Sequence, residues 1–292
     1  MQYACLISRY FFVILVMKIE QAYFEANKTS WNKRTAIHKD SAFYDLKGFK
    51  SGKSSLNKIE LDELGDVKGK SLLHLQCHFG LDTMSWEREG AIVTGVDLSD
   101  EAIKLAKEIS GELKLKAQFI CAYIYDLTDA SKTPLLEEPG EAFDIVFTSY
   151  GTIGWLPDLY RWASVIAFCL KPGGIFYIAD FHPTLWMMDE NFEHIKYDYF
   201  NTDVIAEVNS GTYTDRDAPI KNDEYSWNHP FCEIFSALIK NGLTIQEFNE
   251  FPYSPYNCFN KLEQEKDGMW RVKGLEEKMP LMYSIKAVKQ VS

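Results

Sequence analysis

The stretch SLLHLQCHFG (residues 71–80), followed by AIVTGVD (residues 91–97), decides the fold class. Residues 71–77 form an apolar run of strand length, residues 80–89 follow as a helix, and residues 91–97 form a second apolar run that ends in an acid. This order of strand, helix and strand is typical of a βαβ unit, in which the two strands are parallel. The sequence therefore predicts a parallel sheet that begins here.

The alternation continues along the chain. Ser99 is a favoured N-cap for a helix over residues 100–109, and Gly111 is placed to end it. Pro157 suits the first position of a helix that runs to Leu170. Five further strands are expected at 117–121, 143–149, 175–179, 244–248 and 282–288, with a helix at about 230–240 before the last two. We therefore expect an α/β fold with a doubly wound, mainly parallel, seven-stranded sheet.

Two regions lie outside this pattern. Residues 18–65 have helical spacing and are expected to form N-terminal helices, one of them over 55–64. Residues from about 183 to 227 are expected to form an inserted antiparallel cap, with short strands at 196–200 and 204–208. We interpret residues 17–292 as one domain and residues 1–16 as an upstream extension, because helical patterning begins directly after Met17.

Composition narrows the function. Lys and Arg total 31 against 42 Asp and Glu, a formal net charge of −11, which disfavours nucleic acid because its binding depends on neutralising phosphates. The apolar run at residues 10–17 is shorter than a membrane span, so no membrane association is expected. None of the six cysteines forms a C-x-x-C pair, which indicates a reducing, cytoplasmic location.

The segment that leaves the first strand, residues 76–80, is the candidate binding site. An open parallel sheet binds its ligand beyond the carboxyl ends of its strands, beside the first strand. Asp97 follows at the end of the second strand, about 20 residues later, where a carboxylate accepts hydrogen bonds from ribose hydroxyls. Helix capping does not explain Asp97, because Ser99 stands closer to the next helix.

A family resemblance rests on these and later segments. LLHLQCHFGLDTMSWEREGAIVTGVDLSDEAIKLAKE resembles motif I and the second strand of class I S-adenosylmethionine-dependent methyltransferases, in particular a subfamily that carries LHLQCHFG. FDIVFTSYGTIGWLPDL and LKPGGIFYIADFHP are similar to the fourth and fifth strands of that subfamily, and YSWNHP and PYSPYNCF to its C-terminal half. The resemblance implies a Rossmann-like methyltransferase fold, S-adenosylmethionine as cofactor and a methyl-transfer activity.

The resemblance also implies roles for individual residues. The methionine end of the cofactor is expected to contact Leu75, Gln76, Cys77, His78 and Gly80. Asp97 is expected at the ribose, Leu98, Tyr123 and Ile124 around the adenine, and Tyr150 and Gly151 at the methyl-transfer face.

The chain departs from the family pattern at four of its positions. His74 stands where an acid is usual, Gln76 and His78 stand where glycines are usual, and Tyr123 replaces an acid that commonly meets the adenine amino group. These departures keep a second function open, a non-catalytic module that binds S-adenosylmethionine or S-adenosylhomocysteine.

Several polar residues allow two interpretations. His182 and His229 are candidate general bases, or they bond to backbone in turns fixed by the prolines that follow them. Trp31, Arg34 and His38 share a helix face that either closes over the cofactor or packs on the sheet. No metal site is expected, because a strand directs His74 and Cys77 to opposite faces.

The expected function is methyl transfer to a small organic acceptor. An Asn/Asp-Pro-Pro-Tyr/Phe sequence, which accompanies amino methylation of nucleobases or glutamine, does not follow the fourth strand. A nicotinamide-dependent dehydrogenase is excluded, because it requires G-x-G-x-x-G where this chain has bulky residues. The acceptor atom and the oligomeric state are left open by the sequence.

Overall fold

A seven-stranded sheet forms the centre of the protein, in a computed structural model that describes residues 2–133, 135, 143–201 and 203–291, with side chains from Ile19 onward. The strand order is β3-β2-β1-β4-β5-β11-β8. The strands of this sheet are β1 Ser71–Leu75, β2 Ile92–Asp97, β3 Gln118–Cys121, β4 Phe143–Ser149, β5 Leu170–Phe181, β8 Leu243–Phe251 and β11 Met282–Lys289. The first five strands are parallel, and β11 pairs antiparallel with both β5 and β8. The predicted sheet is confirmed.

Helices cover both faces of the sheet, so the doubly wound arrangement is also confirmed. The helices are α1 Gln2–His38, α2 Leu46–Lys50, α3 Lys58–Leu64, α4 Leu81–Arg88, α5 Asp100–Glu112, α6 Leu159–Cys169 and α7 Phe231–Lys240. Leu73 belongs to the apolar core that includes α6 and α7, whereas Leu72 belongs to the core that includes α3 and Trp86 of α4. Successive residues of a strand point to opposite faces, and this alternation builds the two cores.

Two small antiparallel hairpins form separate sheets beside the central one. The first, β6 Ile205–Ser210 with β7 Lys221–Ser226, lies within the predicted cap. The second, β9 Leu262–Gln264 with β10 Trp270–Val272, was not predicted. Helix α1 lies against β7: the side-chain amide of Asn27 donates to the carbonyl of Tyr225 at 2.8 Å and accepts from its N–H at 2.9 Å. The N-terminal helix therefore supports the cap.

Some predicted boundaries were wrong. Residues 196–200 are not a strand, because the antiparallel pairing next to them is limited to the single bridge between Met188 and Ile195 and does not extend into a ladder. Helix α6 begins at Leu159, and its N-cap is Asp158, whose carboxylate accepts from the Arg161 N–H. Helix α5 does not end at Gly111 but continues to Glu112.

The N-terminal helix is longer than the sequence pattern indicated. Its backbone runs unbroken from Gln2 to His38, without an interruption at Met17. The proposal that residues 1–16 are an upstream extension stays a prediction. Among the described residues, the helices fall short of the length and apolar character that a bilayer crossing requires.

Candidate functional site

A cavity of about 770 Å³ opens beyond the carboxyl ends of β1, β2, β4 and β5. Its floor is the turn after β1, with Asp97 at the end of β2 to one side. Trp31 and Arg34 of α1 line it from above, and the cap contributes residues such as Trp227. The structure thus has a cavity at the edge of the sheet where the sequence predicts ligand binding.

The turn after β1 has an alternating left-handed backbone. The φ angles of Gln76, His78 and Gly80 are 55°, 50° and 75°. The left-handed region costs a non-glycine residue roughly 1–2 kcal/mol. Side-chain bonds offset this cost: Gln76 Nε2 donates to the Thr152 carbonyl at 2.8 Å, and His78 Nε2 lies 2.9 Å from His38 Nδ1. The residues at the usual glycine positions therefore keep a glycine-like backbone.

Gly80 itself is required for a close approach. A Cβ atom at Gly80 would lie 2.3 Å from Cε1 of Phe119, a ring on β3. The backbone of the turn at Gly80 therefore lies directly against β3.

Asp97 holds the turn to the end of β2. Its carboxylate accepts from the His78 N–H and from the Ser99 N–H, both at 2.8 Å. Burial raises the pKa of Asp97 to about 6. A carboxylate offers about four acceptor positions, so two remain for ligand hydroxyls.

Arg34 lies beside two neighbouring tryptophans at the opposite wall. Its guanidinium carbon is 5.2 Å from the centre of the Trp31 ring and 5.7 Å from that of Trp155. Arg34 Nη2 also forms an ion pair with Glu224 of β7 at 2.5 Å. The pairing fixes α1 to the cap and places a cation on the cavity wall.

Three carboxyl groups near the cavity, two of them on the buried residues Asp180 and Glu60, were not predicted from the sequence. Asp180, at the end of β5, accepts from the N–H groups of Thr152 and Ile153, and so shapes the loop after β4. Asp82 lines the cavity from the first turn of α4. Burial raises the pKa of Glu60 to about 8, and its carboxyl accepts from the Tyr150 hydroxyl at 2.5 Å. The sequence does not report which acidic side chains are enclosed by the fold, so it could not distinguish these three from acids on the exposed surface.

Most of the predicted cofactor residues lie together. The cavity is lined by Gln76, Cys77, His78, Gly80, Asp97, Leu98, Tyr150 and Gly151. Three others do not line it. The side chains of Leu75 and Ile124 belong to the core shared with α6, and the Tyr123 hydroxyl donates to Glu25 of α1 at 2.8 Å.

The two candidate bases lie outside the cavity lining. His182 Nε2 lies 2.7 Å from a carboxylate oxygen of Glu250, and its Nδ1 accepts from the Thr184 N–H. His229 Nε2 lies 2.7 Å from the Leu156 carbonyl oxygen, and its Nδ1 lies 2.9 Å from the Glu233 carboxylate. In each ring both nitrogens are occupied, and the structure does not bring either ring to the cavity.

This placement gives a prediction for His229. His229→Ala is expected to lower the free energy of unfolding by about 1–3 kcal/mol, because it leaves the buried Leu156 carbonyl without its donor. Urea denaturation followed by circular dichroism measures this. A variant as stable as the parent protein, with impaired ligand binding instead, would contradict the structural role.

His74, Cys77 and His78 are not gathered into a metal centre. His74 Nδ1 lies 2.8 Å from the Thr83 hydroxyl, whereas His78 bonds to His38. Within the described ranges, no three His, Cys, Asp or Glu side chains are grouped as metal ligands.

Comparisons with known proteins agree with this geometry. Residues 73–178 match the family model described as "Methyltransferase domain". A ubiquinone biosynthesis O-methyltransferase from Coxiella burnetii (strain RSA 493 / Nine Mile phase I) is 33% identical over 108 residues, which cover 37% of this chain and 42% of that protein. The chain spans about half the length of the curated relatives that it matches.

Solved structures share the fold. One is a candidate S-adenosylmethionine-dependent methyltransferase from Listeria monocytogenes, with a TM-score of 0.56 and 23% identity over 80% of this chain and 96% of that chain. Another is geranyl diphosphate C-methyltransferase from Streptomyces coelicolor A3(2), solved with S-adenosyl-L-homocysteine, with a TM-score of 0.52 and 16% identity over 80% of this chain and 74% of that chain. At these identities the likeness extends to the fold alone.

Proposed function

From the match of residues 73–178 to a methyltransferase domain, we propose that the chain is a class I S-adenosylmethionine-dependent methyltransferase that transfers a methyl group to a small organic acceptor. One observation carries the proposal: Asp97 and the left-handed turn of Gln76 and His78 line a single cavity. The turn presents its backbone to the ligand, and the carboxylate accepts from ribose hydroxyls. These groups fit an adenosyl ligand.

The methyl donor supplies an electrophilic methyl group on a sulfonium, which an acceptor atom attacks in line. The protein contributes positioning, which supplies roughly 7–11 kcal/mol of barrier reduction in well-oriented reactions. Asp97 and Leu98 hold the adenosyl end, and Tyr150 and Gly151 line the cavity at the end of β4. Glu60 and Asp180 lock that end of β4, because they bond to the Tyr150 hydroxyl and the Gly151 N–H.

The proposed acceptor is a small organic molecule, because the cavity lining contains many aromatic side chains. They include Phe43, Trp155, Trp186, Trp227 and Phe259. Flat apolar rings suit an organic molecule, and the net charge of −11 opposes a polyanion. The curated relatives match between 37% and 50% of this chain, so their substrates do not identify this acceptor. The described cysteines are free thiols, which supports the proposed reducing, cytoplasmic location.

Calorimetry with S-adenosylhomocysteine tests the proposal first, with NAD as a control ligand. Binding of S-adenosylhomocysteine but not NAD is expected, and the absence of heat with S-adenosylhomocysteine would refute the proposal. Transfer of a labelled methyl group into a small-molecule extract then tests catalysis. Binding without label in any extract would favour a non-catalytic module.

The affinity for an adenosyl ligand is expected to depend on pH. Ribose hydroxyls donate to the ionised carboxylate of Asp97, whose pKa is raised to about 6 by burial. Affinity is therefore full above this pKa and falls as pH decreases through it, by up to about tenfold at pH 5. Titration with 5′-methylthioadenosine, which has the ribose but no amino acid, measures this. An affinity that is constant between pH 5 and 8 would exclude Asp97 as the ribose acceptor.

A further inference from the structure

We propose that Asp82 is the counter-ion for an aliphatic ammonium group bound in the cavity, carried either by the amino-acid end of the methyl donor or by an amine acceptor. This inference rests on the proposed function. It adds a charged contact that the family resemblance did not assign to any residue of this chain.

The Asp82 carboxylate has hydroxyl partners but no cation. It accepts from the Ser55 hydroxyl at 2.6 Å and from the Ser149 hydroxyl at 3.2 Å. Among the ion pairs of the described residues, none involves Asp82. An ionised carboxylate that is removed from water without a cation is costly, and burial accordingly raises the pKa of Asp82. A bound cation would offset that cost.

The other charged groups of the cavity leave Asp82 unneutralised. Its lining includes the carboxylates Asp45, Asp82, Asp97, Asp180, Glu207 and Glu224, and the cations Arg34 and Lys53. Both cations already have partners, since Arg34 pairs with Glu224 and Lys53 with Asp45. The lining as a whole therefore attracts positive charge.

Aromatic rings surround the same part of the cavity. Phe43, Tyr44, Tyr150 and Tyr256 line it, and we call them the aromatic cage. The Phe43 ring centre lies 5.1 Å from that of Tyr44 and 5.3 Å from that of Tyr256, and the Tyr150 and Tyr256 centres are 4.9 Å apart. Burial, with a further contribution from the negative charge of Asp82, raises the pKa of the Tyr44 and Tyr256 hydroxyls. Aromatic faces attract ammonium groups, so the cage and Asp82 favour the same ligand.

His74 provides a second, independent indication. It is 2% exposed, it lines the cavity, and its Nε2 has no hydrogen-bond partner among the described residues. Burial lowers the pKa of His74 to about 3, so the ring is neutral and does not oppose a cation. His74 stands where the family usually has an acid, and its Nδ1 bonds to Thr83, the neighbour of Asp82. Asp82, on α4, therefore supplies the negative charge that His74, on β1, does not carry.

Three probes test the proposal by calorimetry on the parent protein and on Asp82→Asn. They are S-adenosylhomocysteine, which has the ammonium; 5′-methylthioadenosine, which lacks it; and benzyltrimethylammonium, added in the presence of saturating S-adenosylhomocysteine. If the donor carries the ammonium, Asp82→Asn is expected to weaken S-adenosylhomocysteine binding about tenfold and to change the affinity for 5′-methylthioadenosine less than about twofold. If the acceptor carries it, only benzyltrimethylammonium binding is expected to weaken about tenfold.

Glu207→Gln is the matched control. Glu207 also lines the cavity, but Lys196 is within 3.2 Å of it, so its loss is expected to change the affinities for the two adenosyl probes less than about twofold. Unchanged affinities for all three probes in Asp82→Asn, or an equal loss for both adenosyl probes, would overturn the proposal.

The parent protein provides a second measurement that does not depend on the folding of the variant. Its ratio of affinities for S-adenosylhomocysteine and 5′-methylthioadenosine falls as Asp82 becomes protonated, if the donor carries the ammonium. The affinity for benzyltrimethylammonium falls instead, if the acceptor does. Because the pKa of Asp82 is raised, Asp82 is largely protonated once the pH reaches the ordinary pKa of an aspartic acid, and constancy of both from pH 8 down to that pH refutes the role of Asp82. Failure of both adenosyl probes to bind the parent protein refutes the proposed function, and a benzyltrimethylammonium titration made without S-adenosylhomocysteine still reports on Asp82.

Discussion

Asp97→Asn is expected to weaken binding of S-adenosylhomocysteine by about 10–100-fold. The asparagine side chain has one acceptor oxygen, whereas the carboxylate of Asp97 already accepts from both the His78 and the Ser99 N–H groups. The amide therefore leaves one of these donors unpaired and offers an N–H to the ribose hydroxyls. Lost hydrogen bonds to a charged group typically cost about 1.5–3 kcal/mol, which corresponds to this range.

Asp100→Asn is the matched control for this measurement. Asp100 lies three residues later in the first turn of α5, and its side chain is 53% exposed and pairs with Lys28. We expect its replacement to leave the affinity within about twofold of the parent value. Thermal unfolding of both variants separates binding from folding. Equal affinities for Asp97→Asn and Asp100→Asn, with both folded, would exclude Asp97 from the ligand site.

Gly80→Ala is expected to lower the free energy of unfolding by about 2–5 kcal/mol. The new Cβ would lie 2.3 Å from Phe119, and the φ angle of 75° is left-handed. Backbone strain contributes roughly 1–2 kcal/mol and overpacking roughly 1–3 kcal/mol. Denaturant unfolding measures the change.

Gly111→Ala tests the opposite case in the same structure. Gly111 lies inside helix α5, and an added Cβ would have no atom within 4 Å apart from its chain neighbours and the backbone of its own helix. Alanine is therefore expected to stabilise the protein by up to about 1 kcal/mol, because it favours the helix. If both alanine variants had the same stability, the close approach of the turn to Phe119 would be refuted.

The sheet could be predicted because its signals are local. The apolar run at residues 71–75 and the acid at Asp97 place the first two strands and the ligand edge directly. The cap could be located only approximately, because residues 196–200 have strand-like composition, yet the antiparallel pairing beside them stops at the single Met188–Ile195 bridge. A short segment that alternates tyrosine with polar residues does not specify its own hydrogen-bond partners.

The site was predicted in part for the same reason. The positions of Gln76, His78 and Asp97 follow from the strand ends, so they could be predicted from order along the chain. The proximity of Asp82 to Ser55 depends on how the N-terminal segment packs on α4, which periodicity does not report. The hydrogen bond of His229 to Leu156 is likewise formed between distant parts of the chain.

The family-matched segment, residues 73–178, ends before the β6–β7 hairpin and before residues 255–259, yet both of these line the cavity. The cavity thus has a floor within the family-matched segment and a roof, the β6–β7 hairpin with residues 255–259, outside it. Changes in the roof can alter which molecules enter without disturbing the turn or Asp97. Chimeras that keep residues 73–178 and exchange the roof between relatives are therefore a rational route to new acceptor specificity on this scaffold.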